Sequence, residues 1–318
     1  MAEFRAFMSN YNNLLRITDL SPETLEQLLL VSAALKKNPE NSLLKGETLA
    51  IIFEKPSLRT RVSFQLAAEE MGARSLVLRP DEIKMGVREP VRDIARYLSR
   101  NVTIAALRVF AHATLEEFAK YATIPIVNAL CDEEHPCQIF ADLLTVRECF
   151  GKAKGINITY LGDGNNVCQS LMLGAAMQGA NITIGCPKGY EPQEAVVNET
   201  RRIGAATGSV LKILNDPKEA ARGANVLYTD VWVSMGQEEE KIKRLQDFAG
   251  YCLDDECLSR ADKDAIILHC LPAHRGEEIT DSVIESKGSR VFQEAENRRH
   301  VEKAALLYAL KRLDAVTL

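Results

Sequence analysis

No segment of this 318-residue chain reaches the roughly 18 consecutive apolar residues of a membrane-spanning helix, so no membrane association is expected. Residues Met1 to Tyr11 carry no apolar run behind a basic start, which argues against secretion. Nor do they form an Arg-rich, acid-poor leader of transit-peptide length, which argues against mitochondrial import. CxxC pairs are absent. The eight cysteines (Cys131, Cys137, Cys149, Cys168, Cys186, Cys252, Cys257 and Cys270) are scattered, without the dense spacing of a disulfide framework. They read as reduced thiols of a cytoplasmic protein. Cys131, His135 and Cys137 lack structural-zinc spacing, so no metal is expected. Positive charge is not in excess either: 39 Lys plus Arg stand against 44 Asp plus Glu, and the net charge of −5 offers no general attraction to nucleic acid. Any anion site must be local.

What is present is the balance of an ordinary folded protein, 46% hydrophobic and 26% charged, which leaves no room for a long disordered tract. At roughly 100 to 200 residues per domain, the length predicts about two domains. Ser21-Pro-Glu-Thr24 opens an amphipathic helix with a cap, an early proline and an early acid. Thr48 to Phe53 reads as a strand, and Arg59 to Met71 returns to helical spacing. The alternation continues through Ser75 to Leu78, Pro90 to Leu98, Thr103 to Val109, Leu115 to Tyr121 and Ile124 to Leu130, the rhythm of a parallel sheet covered by helices. A helix from about Pro136 to Cys149 follows, and Gly151-Lys-Ala-Lys-Gly155 breaks the periodicity. A second run starts at Asn157 to Gly162, with a helix near Val167 to Gln178 and strands at 181–185, 210–214, 226–231 and 265–271.

The expected fold class is therefore α/β: two domains, each a parallel sheet flanked by helices, with the active site in the interdomain cleft. Residues 1–150 form the first domain and 151–296 the second. A last helix, about 297–318, packs back on the first domain.

Ligands in such sheets bind beyond the carboxyl ends of the strands, so the loops there carry the chemistry. Lys55-Pro-Ser57-Leu58-Arg59-Thr60-Arg61 lies between strand and helix, where unpaired N–H groups, the Ser57 and Thr60 hydroxyls and two arginines suit a phosphate. The competing reading, a capped helix with solvated arginines, stays open on this segment alone. The glycines of a Walker loop are missing. Glu134-His135-Pro136-Cys137-Gln138 puts a ring nitrogen and an amide near a helix start, or is simply structural. Gly162-Asp-Gly164-Asn-Asn166 has Val167 where a dinucleotide fingerprint needs its third glycine, which counts against NAD, and its asparagines suit a zwitterion. Asp230-Val-Trp-Val-Ser234-Met235-Gly236 ends a strand with a carboxylate and a small-residue loop, and the sole tryptophan, Trp232, reads equally as packing. Cys270, in His269-Cys-Leu-Pro272, is a nucleophile without an identified base, or is merely buried. Glu296-Asn-Arg298 opens the last helix.

Ser57-Leu-Arg-Thr-Arg61, His135-Pro-Cys-Gln138, Asp230-Val-Trp-Val-Ser-Met-Gly236, His269-Cys-Leu-Pro272 and Glu296-Asn-Arg298, in this order over nearly the full chain, resemble the aspartate and ornithine carbamoyltransferases. The S-M-G and H-C-L-P segments are similar to the ornithine branch. The resemblance implies transfer of a carbamoyl group from carbamoyl phosphate to the side-chain amine of L-ornithine, giving L-citrulline and phosphate, with no cofactor. It assigns carbamoyl phosphate to Ser57, Leu58, Arg59, Thr60, Lys84, Arg108, His135, Pro136, Cys137, Gln138, Cys270, Leu271 and Arg298. Of these, Arg108, His135, Gln138, Cys270 and Arg298 act at the reacting carbamoyl group. Asn166, Asp230, Ser234 and Met235 hold ornithine, and closure of the Ser234 loop after carbamoyl phosphate binds implies ordered addition.

The chain departs from the pattern at Lys84-Met-Gly86-Val-Arg88-Glu-Pro90, where many ornithine enzymes have glutamine at the place of Lys84. In the family that loop reaches a neighbouring subunit, so the resemblance implies a homotrimer, with Lys84 either at an adjoining phosphate site or solvated. Other acceptors stay open: putrescine, an N-acylated ornithine, or aspartate, for which Asp230 has the wrong sign. So does a non-catalytic amino-acid-binding protein on the same scaffold.

Overall fold

A computed structural model describes residues 11–234 and 236–318; residues 1–10 and Met235 lie outside the described residues. The chain divides into two compact units, one running to Cys137 and resuming at Arg299–Leu318, the other Gln138–Arg298.

In the first unit, β1 (Thr48–Phe53), β2 (Arg74–Leu78), β3 (Ile104–Arg108) and β4 (Ile126–Leu130) form a parallel sheet in the order β2-β1-β3-β4. The helices are α1 (Pro22–Lys37), α2 (Leu58–Glu70), α3 (Pro80–Ile83), α4 (Val91–Leu98) and α5 (His112–Tyr121). Central strands of a parallel sheet are covered on both faces and so read as apolar runs. β3 and β4 are buried along their whole length, whereas the edge strand β2 is half-exposed. Ala50, Ile52, Leu107, Ile94, Leu115 and Phe118 pack into one core. Truncating the fully buried Phe118 to Ala would cost about 3–5 kcal/mol.

The second unit begins within α6 (Pro136–Phe150) and contains β5 (Asn157–Leu161), α7 (Asn166–Met177), β6 (Asn181–Gly185), α8 (Glu194–Thr207), β7 (Leu211–Leu214), α9 (Pro217–Ala221) and β8 (Val226–Thr229). It continues with α10 (Lys241–Asp247), α11 (Asp255–Arg260), β9 (Ile266–His269) and α12 (Asp281–Ile284), and ends within α13 (Val291–Ala309). Its five parallel strands run β7-β6-β5-β8-β9. Almost every residue of α7 is buried, as a helix apolar all round requires. Among the described residues no helix is long and apolar enough to cross a membrane.

Three features differ from the sequence reading. The contacts assign α6 from Gln138 onward to the second unit, whereas the periodicity breaks only at Gly151–Gly155; α6 bonds the start of α13 there, through Gln138 to Glu294 and Thr145 to Asn297. The last helix opens at Val291, so Glu296-Asn297-Arg298 lies in its second turn. Its start escapes an apolar pattern because, after Val291, the fully buried side chains of the first two turns are polar: Glu294, Asn297 and Arg298. The helices α8, α9, α10 and α11 lie between strands where the sequence reading names none.

Candidate active site

In both sheets the strand order reverses at one point, and the loops at the carboxyl ends there form a natural crevice. In the first unit the reversal lies between β1 and β3. Phe53 pairs with Arg108, and Arg108 pairs with Leu130 across a one-residue register shift after Leu107, so the loops after β1, β3 and β4 emerge side by side. Ser57 caps α2: its Oγ accepts from the Thr60 amide at 3.3 Å and donates to Thr60 Oγ1 at 3.2 Å. The first turn of α2, Leu58 and Arg59 included, thus presents backbone donors at the positive end of the helix. Arg61 is turned away, its Nε donating to Gln65 Oε1 at 3.1 Å, so it does not join the cradle that the sequence suggested. Lys55 is buried, bound to Asp132 at 2.7 Å and lying 4.6 Å from the centre of the Phe110 ring.

Arg108 and His135 are both nearly buried, Arg108 at the last residue of β3 and His135 just before Pro136, the first residue of α6. The loop carrying His135 is tied down by Glu134. Its backbone carbonyl accepts from Cys131 N–H at 2.9 Å, and its Oε2 accepts from Ile17 N–H at 2.8 Å. Burial pushes the Glu134 carboxyl up to about 7, with the Ile17 amide and Arg16 opposing. Cys137 is fully buried, while Lys84 is exposed, in left-handed backbone (φ 44°) at the end of α3.

In the second unit the reversal lies between β5 and β8, and the residues after β5, β8 and β9 meet. Asp230 follows β8 and is 6% exposed. The Cys270 thiol donates to its Oδ1 at 2.9 Å, and the Asn165 amide donates to its Oδ2 at 2.9 Å. Burial, then the Asp230 charge, drives the Cys270 thiol well above its ordinary value, so it stays a neutral hydrogen-bond donor and is unsuited to nucleophilic attack. Asn165, to which the resemblance assigns no role, also caps α7, accepting from the Val167 and Cys168 amides at 3.0 Å each. Asn166 is the first residue of that helix. Ser234 starts a tight turn, its amide bonded to Gln237 Oε1 at 3.1 Å; Met235 is outside the described residues. The buried Arg244 fastens this loop, donating to the Trp232 carbonyl at 3.1 Å and pairing with Asp163 at 2.8 Å.

Leu271 has φ 56°, a strained value for a branched residue, and its amide donates to His269 Nδ1 at 2.9 Å. That bond fixes the tautomer: the proton sits on Nε2 and points to Glu278 Oε1, 3.0 Å away, in a fully buried pair. The Cys270 and Leu271 carbonyls are thereby held in place. Asp230, His269 and Cys270 bring oxygen, nitrogen and sulfur within 4.8 Å of one another. Their contacting atoms are committed to one another, to Leu271 and to Glu278, so they form a hydrogen-bonded set rather than a coordination shell. Gln138 donates from Nε2 to Asp142 at 2.9 Å and to Glu294 at 2.7 Å, while its Oε1 accepts from Arg298 at 2.9 Å. Both amide hydrogens are used, so Gln138 can offer a ligand only its oxygen.

Residues 12–148 match the profile of the aspartate/ornithine carbamoyltransferase carbamoyl-P binding domain, and residues 154–309 that of the Asp/Orn binding domain. A Gloeobacter violaceus protein named ornithine carbamoyltransferase is 50% identical over 294 residues, 92% of this chain and 94% of that protein. The chain belongs to the aspartate/ornithine carbamoyltransferase family. Two solved members extend the likeness to the fold. Ornithine carbamoyltransferase from Pyrococcus furiosus has a TM-score of 0.91 at 41% identity, covering 94% of this chain and 97% of that one. An anabolic ornithine carbamoyltransferase from Campylobacter jejuni has a TM-score of 0.90 at 38% identity, covering 96% and 99%. These family profiles divide the chain near residue 150, in the Gly151–Gly155 break, rather than at the contact boundary within α6.

Proposed function

We propose that this chain is a carbamoyltransferase that moves the carbamoyl group of carbamoyl phosphate onto the side-chain amine of L-ornithine, producing L-citrulline and phosphate. The observation that carries the acceptor is Asp230: a buried carboxylate at the β5/β8 crevice, aimed by Cys270 and Asn165. It matches an ammonium and opposes the second carboxylate of aspartate.

Residues 1–150 hold carbamoyl phosphate and 151–296 hold ornithine in this reading, the α13 residue Arg298 joining the carbamoyl contacts. The Ser57–Thr60 turn and Arg108 take the phosphate, whose negative charge grows as it leaves. His135, Thr60 and Arg108 polarise the carbamoyl oxygen. The carbamoyl NH2 has only donors to offer, and Gln138 Oε1 with the Cys270 and Leu271 carbonyls supplies acceptors. Asp230 and Asn166 bind the amino-acid end of ornithine, with Ser234 and Met235 closing over it. The neutral amine nitrogen forms a bond to the carbamoyl carbon, the bond to the phosphate oxygen breaks, and the surplus amine proton leaves with the phosphate. Holding both reactants together supplies most of the acceleration, and no covalent enzyme intermediate is needed.

We further propose a cytoplasmic homotrimer in which Lys84 reaches the phosphate site of an adjoining subunit. The half-exposed edge strand β2 and the exposed apolar side chains Leu58, Val62, Leu76 and Val87 support a subunit contact on this side of the sheet.

The test is product formation from carbamoyl phosphate with ornithine, putrescine, N-acetylornithine or aspartate offered separately, alongside His135→Ala and Asp230→Ala. Citrulline from ornithine alone, lost in both variants, is the expected result. Carbamoylation of another amine overturns the role given to Asp230, and no product with any acceptor favours an amino-acid-binding protein.

A further inference from the structure

Gln138 and Asp142 on α6, and Glu294 and Arg298 on α13, are each one helical turn apart, and all four are at least 98% buried. Glu294 accepts Gln138 Nε2 on Oε1, the His269 amide on Oε2 at 2.9 Å, and the Tyr228 hydroxyl on Oε1 at 3.4 Å. The Asp142 and Glu294 carboxyls thus flank one NH2 group, Gln138 Nε2 lying 2.9 Å from Asp142 Oδ1 and 2.7 Å from Glu294 Oε1. Among the described residues no N–H donor reaches Asp142 Oδ2, although it is fully buried. Two fully buried carboxyls that share one amide group are driven to hold a single proton between them, which answers the orphaned oxygen. Burial, then the Asp142 charge, drives Glu294 well above its ordinary value. Burial raises Asp142 too, so the two carboxyls share one proton.

We propose that Asp142 and Glu294 form a singly protonated acid pair whose task is to position Gln138, fixing its amide so that only the oxygen faces the carbamoyl NH2. This rests on the reading that Gln138 contacts carbamoyl phosphate. Turning the amide over would set its NH2 against the Arg298 guanidinium and its oxygen against Asp142, both repulsive. The pair therefore selects one of two orientations that an isolated glutamine would adopt with equal ease. Glu294 and Asp142 are positioning residues, acting through Gln138.

Two measurements test this. In the infrared spectrum at neutral pH, the wild type should show the carbonyl stretch of a protonated carboxylic acid, and Glu294→Gln should lack that component in the difference spectrum. In kinetics, Glu294→Gln, which keeps a neutral donor facing Asp142, should stay within a few-fold of the wild type. Glu294→Ala should raise the KM for carbamoyl phosphate and lower kcat, together by about ten- to a hundredfold, with the KM for ornithine unchanged. Absence of an acid band that Glu294→Gln loses, or equal damage in the Gln and Ala variants, overturns the proposal. If Glu294→Ala does not fold, the band and the Gln variant still decide. A wild type that makes no citrulline would overturn the proposed function instead, leaving the band to judge the acid pair by itself.

Discussion

Glu134→Gln should change how the stability of this protein depends on pH. Glu134 is 5% exposed, and burial raises its carboxyl from 4.5 to about 7 despite the Ile17 amide at 2.8 Å. A group with a raised pKa holds its proton more tightly when folded. Below about 4.5 the carboxyl is protonated in both states and contributes no pH dependence. Between 4.5 and about 7 the unfolded chain loses its proton first, so stability falls as pH rises; above about 7 the full penalty is in place. A gap of about 2.5 in pKa at about 1.4 kcal/mol each amounts to roughly 3 kcal/mol. Glutamine keeps an oxygen for the Ile17 amide and has no proton to lose. Urea unfolding of both proteins across about pH 4 to 9 should give similar stabilities at the acid end, and a Gln variant more stable by up to about 3 kcal/mol at the alkaline end. A difference that does not vary with pH, or a wild type that gains on the variant as pH rises, would refute the reasoning.

Cys270→Ser keeps a donor for Asp230 and should retain about tenfold more activity than Cys270→Ala, because a hydrogen bond to a charged group is worth about 1.5–3 kcal/mol; equal collapse of both would point to a nucleophilic thiol. Gly164→Ala would place a Cβ 2.4 Å from Pro192 N and 2.6 Å from the Glu191 carbonyl carbon, both backbone, so it should cost about 1–3 kcal/mol or more in a denaturant titration. An unchanged midpoint would show that this close approach is not maintained. The attacking amine must be neutral, and with a pKa near that of lysine, about 10.4, kcat/KM for ornithine should rise about tenfold per pH unit at neutral pH. A flat profile there would mean that the amine is bound already deprotonated.

The strands were legible because the inner strands of a parallel sheet are apolar runs, and Thr48–Phe53 could hardly be read otherwise. The start of α2 was legible because Ser57 caps a helix directly after such a strand. Arg61 could not be placed: a side chain on the first turn can face the crevice or run along the helix, and only the geometry shows it reaching Gln65. That Asn165 caps α7 while Asn166 opens it depends on helix phase to a single residue, finer than any periodicity resolves. The acids behind Gln138 and His269 went unread for a different reason. Asp142, Glu278 and Glu294 look like ordinary solvated carboxylates in a sequence, and their burial follows from pairing with residues far along the chain. The four-residue spacings of Gln138 to Asp142 and of Glu294 to Arg298 were the available signal.

Asn165 performs two jobs with one side chain, and on the proposed reading of Asp230 this restricts how the loop could be redesigned. Its oxygen holds the first amides of α7, and its NH2 aims Asp230. Aspartate would still cap the helix but would repel the Asp230 carboxylate; serine would cap it yet could not span both partners. Libraries that randomise this loop for new amine acceptors should therefore keep returning asparagine at position 165 as long as Asp230 stays. A change of specificity would begin by replacing the two together, making them a linked pair of positions rather than two independent choices.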